Sequence, residues 1–303
     1  MQNYLNLMKE IMETGVDRSD RTGVGTRAVF GKTLSFKLAD GFPMITTRKT
    51  PFRIAFEETM FFLRGETDTK KLEEKKINIW KGNTTREFLD NRGLTYLPEG
   101  DMGKGYGYQW TKWEKYDIVN YCDSDIEEND SETFHGAQVN VSYINQVKNV
   151  IEGIKSNPYD RRHIIQAWNP GQLDEMALPP CHLYNQYVVM DGKLNSSFVM
   201  RSNDVYHGLP FNIMSYAFLN IAIAKICNLE PGELVYFGND VHLYTSQFEV
   251  VKEQLTREPR ALPKLIIKKD IKSYEDLCSL EYADIEIVGY DPHPALTKIE
   301  MAV

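Results

Sequence analysis

Apolar residues first recur at helical spacing in the opening segment, where Leu5, Met8, Ile11 and Met12 share one face and the run stops at Gly15. After the glycine-rich stretch that follows, Leu34, Phe36 and Leu38 alternate with polar residues, which predicts a loop and then a strand. Residues 52–64 are mostly apolar and closed by Gly65, predicting a buried helix that carries Glu57 and Glu58. Ile144, Val147, Ile151 and Ile154 predict an amphipathic helix over 143–155, ahead of Asn157-Pro158. From residue 163 the pattern turns to strands. HIIQAWN is followed by LYNQYVVM and KLNSSFVMRS, which flank Asp191-Gly192, the dipeptide that most strongly signals a hairpin. Residues 212–227 are apolar almost all round, as in a helix buried on most sides. Residues 234–244 read as strand, Ser246 and Glu249 have the spacing of a capping box, and further strands are predicted at 264–268 and 284–290. Helices interleaved with hairpins imply an α+β fold, a mixed β-sheet layered with helices.

The chain has 303 residues and no period of 20 to 50, so one domain over 1–303 is expected. Residues 117–138 hold seven acids without period and read as an exposed acidic insertion. Thirty-five basic against 43 acidic residues give a net charge of −8, which argues against coating DNA and confines any anion site to a few clustered arginines. No uninterrupted apolar run reaches membrane length, so a cytoplasmic protein without a membrane partner is expected. The four cysteines, at 122, 181, 227 and 278, form neither a disulfide framework nor a zinc pattern. Free thiols and no metal are expected.

Three sets of residues are candidates for chemistry. In MALPPCH, residues 176–182, two prolines stiffen the approach to Cys181, beside His182. Such a cysteine is either a nucleophile or a structural core residue. Arg21, Arg161, Arg162 and Arg201, the last followed by Ser202, are either solvated surface charge or forks for a phosphate. Among polar groups set in apolar surroundings, Glu58 is either paired or functional. Asn212 at the start of the apolar run reads as an N-cap or a recognition group, and His242 and Tyr244 point to one face of a strand.

Taken with DRTGVGT (20–26), GFPMITTRK (41–49), FFLRGETD (61–68), GYGYQW (105–110), DRRHIIQAWNP (160–170), RSNDVYHGLPFNI (201–213), GNDVHLY (238–244) and the terminal EMAV, these segments resemble the thymidylate synthase family almost end to end. The resemblance implies reductive methylation of dUMP at C5, with 5,10-methylenetetrahydrofolate supplying the carbon and the hydride. It implies that Cys181 is the nucleophile adding at C6, since uracil C5 is a weak nucleophile until a thiolate turns it into an enolate carbon. It likewise implies that Arg21, Arg201 and Ser202 grip the phosphate, with Arg161 and Arg162 given across a homodimer interface. Asn212 would read uracil, because an amide both donates to O4 and accepts from N3–H. Glu58 would handle protons, with Tyr106 and His182 in the surrounding shell, and His242 with Tyr244 would hold the ribose. Asp204 would bind the pterin, while Arg48, Trp80, Gly208, Phe211 and the tail residues Met301, Ala302 and Val303 would line and close the folate side. The family usually has an acid at Lys81, a proline at Lys104, a glutamine at Met200 and a leucine at His207. These departures keep a second reading open, hydroxymethylation of dUMP, in which water replaces hydride. A Cys-His hydrolase and a non-catalytic nucleotide- or RNA-binding regulator are the alternatives from other classes.

Overall fold

A computed structural model describes residues 1–19, 23–120 and 138–296. Arg21, Met301, Ala302, Val303 and most of the acidic insertion lie outside the described residues.

The elements run α1 (Gln2–Thr14), β1 (Val16–Arg18), β2 (Thr26–Lys37), α2 (Phe52–Leu63), α3 (Lys70–Glu74), α4 (Arg86–Asn91), α5 (Tyr106–Thr111), β3 (Trp113–Asn120) and β4 (Gln138–Ile144). They continue with α6 (Gln146–Ser156), β5 (Ile164–Gln166), β6 (His182–Met190), β7 (Lys193–Asp204), α7 (Gly208–Ile226), β8 (Glu230–Tyr244), α8 (Phe248–Leu255), β9 (Lys264–Ile267), α9 (Tyr274–Cys278) and β10 (Ile285–Val288). A six-stranded sheet has the order β1-β2-β8-β7-β6-β5. Its pairings are antiparallel except β7 with β8, which are parallel and joined through α7. The fold is thus α+β with a mixed sheet, and it contains one βαβ crossover that the hairpin-rich sequence pattern did not suggest.

The β6–β7 hairpin forms as the pattern predicts: Met190 faces Lys193, while Asp191 (φ 50°) and Gly192 (φ 71°) take the left-handed conformations of a two-residue turn. Alternation then decides the faces. Tyr187, Val189, Leu194, Phe198, Leu234 and Tyr236 are buried beneath helices. Tyr184, Met190, Phe237 and Ile164 emerge on the other face, exposed. α7 is apolar all round because it fills the core between the sheet and α2, with Phe218 edge-on to Phe56 at 5.3 Å.

Several predicted boundaries move for local reasons. Gly15 ends α1 in an extended conformation, not a left-handed one; glycine is needed because a Cβ would lie 2.5 Å from the Ile11 carbonyl oxygen. The helix predicted from 143 begins at Gln146, since Asn145 accepts the Lys148 N–H and caps it there, leaving Tyr143 and Ile144 in β4. Residues 117–120 and 138 likewise belong to a two-stranded β3–β4 ribbon. α7 starts at Gly208, so Asn212 sits inside the helix and does not cap it. Ser246 is no cap either: the Gln247 side chain turns back to accept the Tyr244 N–H at 3.0 Å.

Candidate active site

The loop before β6 carries Cys181, and proline chemistry dictates how it is held. Pro179 and Pro180 have no N–H, yet their carbonyls still need donors. Arg201 supplies both, from Nε to the Pro180 oxygen at 2.8 Å and from Nη2 to the Pro179 oxygen at 3.0 Å. The Arg201 amide also donates to the Cys181 carbonyl at 2.8 Å, and the Cys181 amide donates to the Tyr106 hydroxyl at 2.6 Å. A guanidinium is therefore seated on the loop that bears the thiol.

Beneath the cysteine lies a wall of rings from α2, α5 and α7. Tyr106 stacks on His182 with centroids 4.0 Å apart, Phe62 lies 4.9 Å from Tyr106, and Trp80 packs edge-on to Phe62. His182 Nδ1 is 2.6 Å from the Tyr216 hydroxyl, so the ring is engaged with α7. Burial pushes His182 down to about 3, leaving it neutral, and burial also raises the Tyr106 phenol well above its ordinary range. Glu58 projects from α2 at the edge of this wall, half-buried, with Oε1 accepting the Trp80 indole N–H at 2.8 Å. Removal from water raises Glu58 to about 7, although the Trp80 bond pulls the other way. A carboxyl poised near neutrality can both give and take a proton.

The ends of β7 and β8 and the start of α7 furnish the opposite side. Asn212 Oδ1 lies 3.4 Å from Asn203 Nδ2, and the Tyr236 hydroxyl donates to Asn203 Oδ1 at 3.1 Å, so a relay orients the Asn212 amide. Ser202 stands opposite Asp240, and Asp204 opposite His242. His242 Nδ1 is 3.0 Å from Asp240 Oδ1, and its ring is perpendicular to that of Tyr244 at 5.3 Å. The His242 bond, helped by Arg18, holds Asp240 down to about 2 despite partial burial. Asp204 Oδ1 accepts the amides of Tyr206 and His207, both at 2.9 Å, and Oδ2 accepts from Gln247 Nε2 at 2.9 Å. Burial works to raise Asp204, but His207 first and Gln247 after it bring it below its ordinary value. Gly208 and the half-buried Phe211 lie in the first turn of α7.

Two predicted groups stand apart. Arg48 is buried, its guanidinium 4.3 Å from the centre of the Tyr206 ring and bonded to the Tyr206 carbonyl, so it supports the turn that presents Asp204. Arg161 and Arg162 are exposed, and Arg162 bonds Asp160 at 2.9 Å. Because Ile164 faces Gln186 and Gln166 faces Tyr184, continuing the ladder puts Arg162 level with Val188. That is roughly 20 Å along β6 from Cys181, beyond the reach of an arginine in the same chain.

Sequence reasoning missed the residues that hold the site groups: Tyr216 on His182, Asn203 on Asn212, Gln247 on Asp204 and Asp240 on His242. Their signal was a polar atom on an otherwise apolar face, visible for Tyr216 within α7 and for Asn203 near the end of β7. Trp80, expected only as a wall, is also the donor to Glu58.

The fold and this constellation define a class, an α+β protein in which a cysteine on a proline-stiffened, arginine-clasped loop stands over a wall of aromatic rings beside a carboxyl raised to about 7. A family model described as thymidylate synthase matches residues 2–303. The chain is 43% identical over 300 residues to Thymidylate synthase 1/2 of Encephalitozoon cuniculi, an alignment that covers 99% of this chain and 96% of that protein. It is 44% identical over 299 residues to the bifunctional dihydrofolate reductase-thymidylate synthase of Paramecium tetraurelia, covering 98% of this chain and 60% of that longer protein. The chain belongs to the thymidylate synthase family, and it is a methyltransferase enzyme.

Proposed function

We propose that this chain methylates dUMP to dTMP, with 5,10-methylenetetrahydrofolate as co-substrate. The observation that carries the reading is the pairing of Cys181 with Arg201, which is fastened to the cysteine loop by three hydrogen bonds, two from its guanidinium and one from its backbone amide. Arg201 and Ser202 hold the nucleotide phosphate, and His242 with Tyr244 hold the ribose. The Asn212 amide, aligned through Asn203, reads O4 and N3–H of uracil and stabilises negative charge on O4. Cys181 thiolate then bonds to C6 as the C5=C6 π pair moves to C5, C5 bonds to the one-carbon unit, and loss of the C5 proton is followed by departure of the Cys181 thiolate from C6, which returns the enzyme. Glu58, near neutrality beside Trp80, relays protons at the pyrimidine. When bound, the folate supplies the one-carbon unit and the hydride. An aromatic wall at Trp80 and Phe211 with a buried carboxylate at Asp204 suits a flat pterin that donates N–H groups.

Methylation is preferred to hydroxymethylation because three of the four departures from the family pattern are absorbed elsewhere. Lys81 pairs with Glu73 at 3.3 Å, Lys104 pairs with Glu114 and Glu175, and Met200 is buried in the core. The test is product analysis with dUMP and methylenetetrahydrofolate. The expected pair is dTMP with dihydrofolate; 5-hydroxymethyl-dUMP with tetrahydrofolate would overturn the reading.

The working unit in this proposal is a homodimer. The outer face of the sheet exposes Ile164, Tyr184, Met190 and Phe237, an apolar surface suited to a second copy, and Arg161 and Arg162 flank it from the edge strand. In the same proposal, Arg161 and Arg162 complete the phosphate site of the partner copy. The thiols of Cys227 and Cys278, outside any disulfide, suit a reducing, cytoplasmic setting.

A further inference from the structure

The fourth departure, His207, is different from the other three because it touches a residue assigned above to folate. A carboxylate offers about four lone-pair sites; at Asp204 three of them take donors of this chain and the remaining side stands against the His207 ring. Oδ1 takes the Tyr206 and His207 amides, while Oδ2 takes Gln247 Nε2 at 2.9 Å and stands 3.4 Å from His207 Nδ1. Gln247 Nε2 is also 3.1 Å from His207 Nδ1. Asp204 and His207 are both largely buried, with 15% and 18% of their side chains exposed, so water does little to weaken the contact.

The triangle has two settings. With His207 neutral, its Nδ1 lone pair accepts one Gln247 proton while the other Gln247 proton goes to Asp204. With His207 protonated, Nδ1–H points to Asp204 as a charge-assisted donor, and the carboxylate is held more firmly. A leucine, usual here in the family, can do neither.

We propose that His207 competes with the folate pterin for Asp204, so that it sets how strongly this chain binds folate. The proposal rests on Asp204 being the pterin carboxylate. A pterin that donates N–H groups to Asp204 must displace the imidazole, and it does so more easily when the imidazole is neutral. The other charged and titratable groups acting on this turn are Tyr206 within it, Arg48 over the Tyr206 ring, Tyr4 of α1, and Glu253 with Arg257 beyond and at the end of α8. Arg257 is already paired with Glu253 at 2.7 Å, and Arg48 is engaged by Tyr206, so among these groups His207 is the one whose side chain stands with Gln247 against the Asp204 carboxylate.

The test is calorimetric titration of folic acid into the full chain with saturating dUMP. His207→Leu, which removes the competing imidazole, should bind at least about fivefold tighter than wild type. His207→Asn, which keeps a polar side chain against Asp204, should remain close to wild type. A His207→Leu variant that binds no tighter than wild type overturns the proposal. Asp204→Asn separates the two levels: if it binds folic acid as well as wild type, the pterin assignment fails and the competition with it. If Asp204→Asn loses binding while His207→Leu changes nothing, the competition alone fails. dUMP affinity, measured in each variant, reports that the fold is intact.

Discussion

At the scale of single residues, Glu58 is the group whose environment says most about its work. Its elevation to about 7 comes from the dry aromatic wall, with the Trp80 indole opposing. A carboxyl raised in the folded state binds more protons folded than unfolded between its ordinary value of 4.5 and about 7. Stability it contributes in acid is therefore lost as pH rises through that window. Glu58→Gln should flatten this part of the stability profile, read by urea unfolding at stepped pH. The same change should lower kcat by about 10²- to 10⁴-fold and remove any inflection near neutrality from the pH–rate curve. A variant with near-wild-type kcat would sink the proton-handling role. Cys181, Arg201 and Asn212 were all visible in the sequence, but their alternatives stayed open there. Whether an arginine is solvated or clamped depends on carbonyls contributed by Pro179 and Pro180, and no spacing rule carries that.

At the scale of elements, regular pattern was legible wherever one period dominated. α1, α2, the Asp191-Gly192 hairpin and the core helix α7 follow from apolar spacing and turn chemistry. What the pattern could not convey were short helices such as α3 and α4, too brief to show a period, and the β3–β4 ribbon. Tyr116, Val139, Val141 and Tyr143 of that ribbon are exposed, so it lacks the inside-outside alternation that marks a strand. Its base is fastened by polar contacts. Glu114 accepts from Tyr108, Tyr116, Gln172 and Lys104, and Lys104 reaches on to Glu175 at 2.8 Å. Burial works to raise Glu114, but these donors together hold it down to about 2. A depressed carboxylate stabilises the fold above its ordinary value of 4.5, and that contribution is lost as pH falls toward about 2. Glu114→Gln should cost about 1 to 3 kcal/mol at neutral pH, with a shallower acid limb. Unchanged urea midpoints for Glu114→Gln would show that the cluster is not what fastens the ribbon.

At the scale of the whole molecule, the sheet sets the candidate anion-binding arginines apart, and the proposed homodimer follows from that separation. β6 and β7 bring Arg201 to the cysteine, while β5, at the far edge, carries Arg161 and Arg162 away from it. Two copies packed by their exposed sheet faces would restore the missing charges. Cys181→Ser homodimers and Arg161→Ala/Arg162→Ala homodimers should each be nearly inactive. Mixing the two under exchange should restore up to about a quarter of wild-type activity, since half of the dimers are hybrids with one intact site of two. No restoration, with exchange verified by sedimentation or mass, would argue that each site is built from a single chain.

The claim on which all of this depends is that the Cys181 sulfur joins C6 of the pyrimidine. The most direct measurement is intact-protein and peptide mass spectrometry after incubation with 5-fluoro-dUMP and methylenetetrahydrofolate, since fluorine at C5 blocks the proton loss that would let the adduct proceed. The account predicts a stable ternary adduct of one nucleotide and one folate per site, mapped to the peptide bearing Cys181 and absent in Cys181→Ser. Complete turnover or tight binding without any adduct on that peptide would contradict it.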